Sequence, residues 1–236
     1  MDRARRALNA FYAFLDRPLY LWSRPLLLAL VVPLIVGMTM PLWHIHMEAP
    51  QYPTGLDVDI YAYTIKGGRD GNDLKEINIL NHYIGMKKID RAALTDLDWL
   101  PFGFGVLALL ALRVAALGNV RSMLDLSTLV AYFSVFSLAR FYLKLYAYGH
   151  DLSPEAPVKI EPFMPALLGS KQVGNFTTHA GPSPGTYLVG AFAAGVLALT
   201  FVHLFKGRRA ATHAGAQAAA SGDEGLQPTR STESAK

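Results

Sequence analysis

The residues best suited to chemistry in this sequence are histidines that stand close to methionines. His44, His46 and Met47 form a His-x-His-Met run, and His82 and Met86 stand four positions apart. Imidazole and thioether together suit copper, and thioether in particular favours Cu(I). The pattern predicts a copper site with all five of these residues as ligands. The alternative interpretation is that the histidines anchor the chain at a membrane interface while the methionines fill contacts between helices.

A second polar group lies near the end of a long apolar stretch. Arg140, Lys144 and Asp151 are spaced by four and by seven residues, so they fall on one face of a helix. Charges at such a depth need a partner, which makes an anion site one interpretation, for a haem propionate, a quinone headgroup or a phospholipid. In the other interpretation the basic side chains reach water and pair with a carboxylate of the loops: Glu48, Asp96 or Asp98.

The anion-site interpretation would make Arg140, Lys144 and His150 the cofactor-binding residues. Haem b held between helices needs axial ligands at facing depths. His150 together with His44 or His46 would supply them, so haem b is the alternative cofactor to copper.

Composition restricts the other kinds of chemistry. The chain has no cysteine, so neither disulfides nor thiolate metal sites can form. It contains no nucleophile elbow, phosphate-binding loop or His-Glu-x-x-His motif, and we therefore expect no enzymatic activity. The net charge of +4 would suit a nucleic-acid partner, but the basic residues stand at the ends of apolar segments, which is typical of membrane orientation. We expect no nucleic-acid partner.

Apolar segments dominate the 236 residues, of which 52% are hydrophobic. A helix needs about 20 apolar residues to cross the hydrocarbon core of a bilayer. Segments that approach this length are 25–43, 99–118, 124–148 and 186–205. The sequence predicts an all-α membrane protein with four transmembrane helices and membrane lipids around them.

Basic residues predict the orientation of these spans. Arginines are frequent in 1–24, before the first span, Lys206 follows the last, and Arg121 lies in the short turn 119–123. By the positive-inside rule both termini and this turn are cytoplasmic. The segments 44–98 and 149–185 are then extracytoplasmic, and the histidines they contain are His44, His46, His82, His150 and His179.

The first outer segment contains local patterns of its own. Residues 56–63 alternate with a period of two, and 76–80 follow a Gly-Gly-Arg-Asp-Gly-Asn turn, which predicts a small β-hairpin. Residues 86–99 have apolar positions at helical spacing and predict a surface helix that leads into the second span.

The remaining segments are predicted from composition. Residues 1–24 alternate arginine with apolar residues, as in an amphipathic helix on the inner leaflet. The proline-rich segment 149–185 predicts an irregular cap, and 206–236 predict a disordered cytoplasmic tail.

Several motifs resemble those of a known family. They are Glu-Ala-Pro-Gln-Tyr-Pro-x-Gly-Leu at 48–56, Ile-Leu-Asn-His-Tyr-Ile-Gly-Met at 79–86, Phe-Met-Pro-Ala-Leu-Leu-Gly at 163–169 and Asn-Phe at 175–176. Together they resemble a family of bacterial multi-pass membrane proteins associated with the maturation of copper enzymes and respiratory complexes, such as nitrous oxide reductase or terminal oxidases. The resemblance covers most of 25–205. It implies the bacterial inner membrane and a membrane or periplasmic redox-enzyme partner.

Three hypotheses follow. The leading hypothesis is a membrane protein that binds or delivers copper at its outer face and assists a respiratory copper enzyme. The second is a haem- or quinone-binding membrane subunit of a redox complex, which a visible spectrum would reveal. The third is an assembly or structural subunit without a cofactor.

Overall fold

A computed structural model describes the backbone over residues 2–173 and 175–224, and the side chains at 5, 8–173 and 175–206. The helices are α1 Asp2–Leu15, α2 Ser23–Thr39, α3 Asn72–Tyr83, α4 Asp96–Leu117, α5 Val120–His150 and α6 Pro184–Glu224, with a short 3-10 helix at Arg69–Gly71. The strands are β1 Trp43–Ala49, β2 Tyr52–Ile60, β3 Ile65–Gly67, β4 Gly169–Val173 and β5 Phe176–Pro182.

Apolar helices form the larger part of the molecule. Within the described residues, three helices are long and apolar enough to cross a membrane: α4, α5 and the Pro184–Lys206 part of α6. Helix α2 is also apolar but has 17 residues. Side chains of these helices share one core, in which Leu27, Leu34, Phe192 and Val196 are fully buried. Length and composition of these three helices thus indicate a helical membrane protein.

The turn between α4 and α5 defines one end of the helix bundle. Gly118 has a φ of 64° and ends α4, a conformation that glycine adopts without strain. The Asn119 side chain accepts a hydrogen bond of 3.1 Å from the backbone N–H of Ser122 and so begins α5. Leu19 of the N-terminal segment donates its N–H to the Gly118 carbonyl at 2.6 Å. The segment after α1 thus packs on this end of the bundle.

A five-stranded antiparallel sheet lies at the opposite end, in the order β3-β2-β1-β5-β4. β1 follows α2 and β5 precedes α6, and the N–H of Ser183 donates to the carbonyl of Leu42 at 3.0 Å where the two strands meet the helices. The sheet is larger than the predicted hairpin because β1 pairs with β5 from the second outer segment. Local periodicity does not reveal such a distant pairing.

Helix α3 covers one face of the sheet and corrects the predicted hairpin. Residues 76–80 are helical in the structure, so the second predicted strand is wrong. On a strand Ile77 and Ile79 would share a face, but Ile77 is 2% exposed and packs on Leu56 and Val58, whereas Ile79 is 51% exposed. The Tyr52 hydroxyl donates to the Glu76 carboxylate and joins β2 to α3.

Three other segments differ from the predictions. Residues 86–95 form irregular backbone and turns, and helix begins only at Asp96. The segment 149–185 contains β4 and β5 in addition to irregular backbone. The last helix continues to Glu224 because 207–224 are rich in alanine, the strongest helix former. Residues 225–236 of the predicted tail lie outside the described residues.

Candidate metal site and interfacial cavity

Strand β1 carries the central pair of candidate metal ligands. Successive side chains of a strand point to opposite faces, so His44 and His46 share one face and Met47 belongs to the other. The antiparallel register places Asp59 opposite His44 and Asp57 opposite His46. A His-x-His sequence thus meets an Asp-x-Asp sequence on the polar face of the sheet.

The distances in this group are short enough for one metal ion. His44 Nε2 lies 3.4 Å from Oδ1 of Asp57, and His46 Nδ1 lies 2.7 Å from the same oxygen. One ligand atom from each of His44, His46 and Asp57 can be chosen so that all three lie within 4.8 Å of one another. These side chains are partly exposed, at 45%, 30% and 44% respectively, so an ion can reach them from solvent. Two imidazoles and a carboxylate suit divalent zinc, nickel or copper.

Residues around the group orient the histidines. Oδ1 of Asp59 lies 2.9 Å from His44 Nδ1, which leaves Nε2 of that ring for a metal. A carboxylate on the second nitrogen is the usual support of a metal-binding histidine. Glu48 Oε1 lies 3.7 Å from His46 Nε2, and the His179 ring lies across the β1–β5 pair with its centroid 6.3 Å from that of His46.

Gly55 makes room for the His46 ring. A Cβ at Gly55 would lie 2.1 Å from Cε1 of His46, and the φ of Gly55 is +77°, which side chains rarely tolerate. The position of His46 therefore depends on a glycine in the neighbouring strand. The sequence Tyr-Pro-Thr-Gly-Leu at the start of β2 thus supplies the glycine whose backbone conformation leaves room for the His46 ring.

The structure separates the other three predicted ligands from His44 and His46. Met47 and Met86 line a second, smaller apolar cavity on the opposite face of the sheet. His82 is exposed near the end of α3, the helix that covers that face. The group at the polar face consequently has nitrogen and oxygen ligands without thioether.

Arg140 and Lys144, the basic pair of the second predicted group, lie on α5 beside Asp96 of α4. Arg140 Nε donates to Asp96 Oδ1 at 2.9 Å, and Lys144 Nζ lies 3.9 Å from Asp96 Oδ2. The Trp99 indole N–H also donates to Asp96, at 3.2 Å. Asp96 is one of the three carboxylates, with Glu48 and Asp98, that the sequence predicts as possible partners of this basic pair.

His150 and Asp151 do not join that group. The His150 ring stacks on Tyr146 with centroids 3.7 Å apart, and its Nδ1 lies 3.0 Å from the Tyr146 carbonyl oxygen. Asp151 forms an ion pair with Lys87. The three predicted cofactor-binding residues are thus divided between two places on α5.

A cavity of about 370 Å³ lies between the sheet and the membrane helices. Apolar side chains of β1 and β2 line it on one side, and residues of α4, α5 and α6 line it on the other. Its walls include aromatic side chains at both ends, and Asp96, Arg140 and Lys144 supply its charged part. This cavity was not predicted from the sequence, because its walls come from segments far apart in the chain.

Asp57 and Asp59 belong to the candidate metal site but were not predicted from the sequence. A signal for them existed, since Trp43–Ala49 alternates apolar and polar residues in the same way as 56–63. Recognising the first stretch as a strand would have predicted an antiparallel pair, with histidines facing aspartates.

Comparisons of the chain with family models, with curated proteins and with solved structures find no significant match. Functional inference consequently starts from the geometry of the polar face and of the cavity.

Proposed function

We propose that this chain is a four-span protein of the bacterial inner membrane that binds copper(II) on the polar face of an extracytoplasmic sheet. The observation that carries the proposal is the convergence of His44, His46 and Asp57, whose ligand atoms lie within 4.8 Å of one another. Both termini are cytoplasmic in this proposal, in agreement with the basic residues that flank the bundle.

Helix α2 supplies the fourth span. Its 17 residues extend about 26 Å at 1.5 Å per residue, close to the hydrocarbon thickness of about 30 Å. It packs against α4 and α6. The contact with α6 is close, since a Cβ at Gly195 would lie 2.5 Å from a methyl group of Leu30. The side of α2 that faces away from these two helices exposes apolar residues, among them Leu28, Val32 and Ile35, which lipid would cover.

Copper(II) is the ion favoured by the ligand chemistry. For a given set of nitrogen and oxygen ligands, affinity among divalent first-row metals is highest for copper. Glu48 and Asp59 add negative charge within reach of the two imidazoles, which attracts a cation. The separation of Met47 and Met86 from the group removes the thioethers that would favour Cu(I).

Metal titration of the detergent-purified chain tests the site. We expect one equivalent of copper(II) to bind, with nitrogen hyperfine structure in its electron paramagnetic resonance spectrum, and to displace zinc. The double variant His44→Ala/His46→Ala should lose this signal. His82→Ala is the matched control, because it removes an exposed histidine on the other side of the sheet and should leave binding unchanged. Equal binding by the double variant and the wild type would disprove the site.

The extension of the proposal is that the bound copper is delivered to a respiratory copper enzyme. The exposure of His44 and Asp57, 45% and 44%, leaves the ion accessible to an acceptor protein. Cells that lack the chain should show reduced activity of such an enzyme, restored by the wild-type gene and by added copper but not by the His44→Ala/His46→Ala variant. If that variant restored the activity of the enzyme, copper delivery would not depend on the site formed by His44 and His46.

A further inference from the structure

The cavity between the sheet and the helices has a chemistry that the metal site does not explain. Its volume of about 370 Å³ falls in the range of small-molecule sites, roughly 300 to 1,000 Å³. It lies where α4 and α6 begin and α5 ends, at the edge of the membrane-spanning bundle. A ligand could therefore enter from the lipid phase.

Aromatic side chains give the cavity walls suited to a flat ring. Trp43 meets Phe141 edge-on with ring centroids 5.1 Å apart, and Trp99 meets Phe133 in the same way at 5.6 Å. All four residues line the cavity. Aromatic walls favour planar apolar ligands through offset or edge-to-face contacts.

Polar groups of the cavity lack partners in the described part of the protein. The Trp43 indole N–H and the Ser137 hydroxyl are shielded from water and form no hydrogen bond there. Lys144 forms an ion pair with Asp96 at 3.9 Å, a distance too long for a hydrogen bond, so its N–H groups remain for another acceptor. Protein atoms cover both uncharged donors, so Lys144, whose side chain is 28% exposed, is the donor of the lining that an acceptor oxygen in the cavity can reach.

We propose that this cavity binds a lipid-soluble, planar ligand with carbonyl oxygens, that is, a quinone. The ring lies among the aromatic walls, one carbonyl end takes hydrogen bonds from donors of the lining, and the apolar chain extends toward the lipid. A cavity of about 370 Å³ holds a single ring and the start of a chain but not a two-chain phospholipid. The site is independent of copper binding, since it occupies the other face of the sheet.

Quenching of tryptophan fluorescence by a benzoquinone with a short alkyl chain measures this binding on the full-length, detergent-purified protein. Trp43 and Trp99 line the cavity, and the third tryptophan, Trp22, lies near His203 at the other end of the bundle. A Trp22→Phe background therefore reports on the cavity alone. We expect saturable quenching, unaffected by the His44→Ala/His46→Ala variant.

Two pairs of variants separate the cavity from general effects on folding. Ala193 lines the cavity and Ala194 does not, so Ala193→Phe should abolish saturable quenching while Ala194→Phe should not. Among the described residues, side chains at Gly190 and Gly105 would each meet no atom within 4 Å of Cβ; Gly190 lines the cavity and Gly105 does not. Gly190→Leu should likewise abolish quinone binding, and Gly105→Leu should preserve it.

The headgroup contact is tested by Lys144→Gln, with Lys206→Gln at the other end of the bundle as control. Loss of a hydrogen bond to a charged donor should weaken quinone binding about tenfold or more. Lysophosphatidic acid, a lipid with a single chain, tests whether the cavity binds the phosphate oxygens of a lipid and not the carbonyl oxygens of a quinone. Binding of that lipid without quinone binding, or quinone binding that survives both Ala193→Phe and Gly190→Leu, would overturn the proposal.

Discussion

The two faces of strand β1 differ in what holds them together and in what they offer to a ligand. Residues 44, 46 and 48 face a row of carboxylates and remain partly exposed, whereas 43, 45 and 47 face apolar cavities. One strand thus separates a hydrophilic group suited to a cation from an apolar space suited to a lipid-soluble molecule. The difference arises from the period-two alternation of a single heptapeptide, Trp-His-Ile-His-Met-Glu-Ala.

The two faces also differ in how much they contribute to the stability of the fold. The apolar face includes Leu56 and Val58, which pack on Ile77 of α3; each of the three is 2% exposed or less, and their burial stabilises the sheet. The polar face contributes contacts between imidazole and carboxylate groups that are partly exposed, and such contacts stabilise proteins little. Substitutions on the polar face should therefore change copper affinity with little effect on folding, and substitutions of buried residues on the apolar face should destabilise the fold.

The largest effect is expected from a charge on the apolar face. Val58→Asp would bury a carboxylate without a partner, at a cost of several kcal/mol, about 3 or more. Thermal unfolding followed by tryptophan fluorescence and the yield of monodisperse protein measure the loss. The neighbouring change Asp59→Asn, on the polar face, is the control for folding and should leave the melting temperature nearly unchanged. A stable Val58→Asp protein would contradict the division between the faces.

Asp59→Asn should instead weaken metal binding. Asp59 lies 2.9 Å from His44 Nδ1 and orients that ring, so the amide should lower copper(II) affinity by about 10- to 100-fold. Competition with a chelator of known affinity measures the change. Asp98→Asn removes a carboxylate that is paired with Arg91 and lies outside the group, and it should leave the affinity unchanged. If Asp98→Asn lowered copper(II) affinity as much as Asp59→Asn, the cause would be the loss of negative charge in general and not the orientation of His44.

Gly55→Ala is expected to have a smaller effect on both properties. The left-handed φ of +77° costs an L-residue about 1 to 2 kcal/mol, and the added methyl displaces the His46 ring. We expect weaker copper binding together with a modest fall in melting temperature. Gly181→Ala in β5 is the matched control, since its Cβ would meet no atom of the described residues within 4 Å and its φ lies outside the left-handed region. Unchanged copper affinity in Gly55→Ala would show that His46 does not depend on that space.

Sequence patterns predicted the three longest apolar helices well because apolar composition and length are local features. The predicted segments 99–118, 124–148 and 186–205 lie within helices or differ from them by a residue, whereas the predicted span 25–43 is helical only to Thr39. A helix in lipid satisfies its own backbone hydrogen bonds, so length and apolar composition suffice to identify it.

The sheet and the two candidate sites were harder to predict because they depend on distant pairings. β1 pairs with β5 from another loop, and the short run that forms β1 follows an apolar span closely enough to be mistaken for its interfacial end. Ile77 and Ile79 imitate a strand although they belong to α3. The histidines were identified from the sequence, but predicting their aspartate partners requires the strand register, and predicting the cavity requires the packing of three helices on three strands.

The smallest predicted effect concerns the contact between β2 and α3. The hydrogen bond from the Tyr52 hydroxyl to the Glu76 carboxylate raises the pKa of Tyr52 above its ordinary value of about 10. A raised folded-state pKa means that the neutral phenol stabilises the fold fully below the ordinary pKa and that this contribution is lost as pH rises through the folded-state pKa. Tyr52→Phe should therefore lower the melting temperature slightly at pH 7, and the difference from wild type should disappear at strongly alkaline pH. Tyr83→Phe, at the exposed end of α3, is the control and should show no pH-dependent difference. A difference for Tyr52→Phe that stays constant across this pH range would mean that packing of the ring, and not the hydrogen bond to Glu76, joins the helix to the strand.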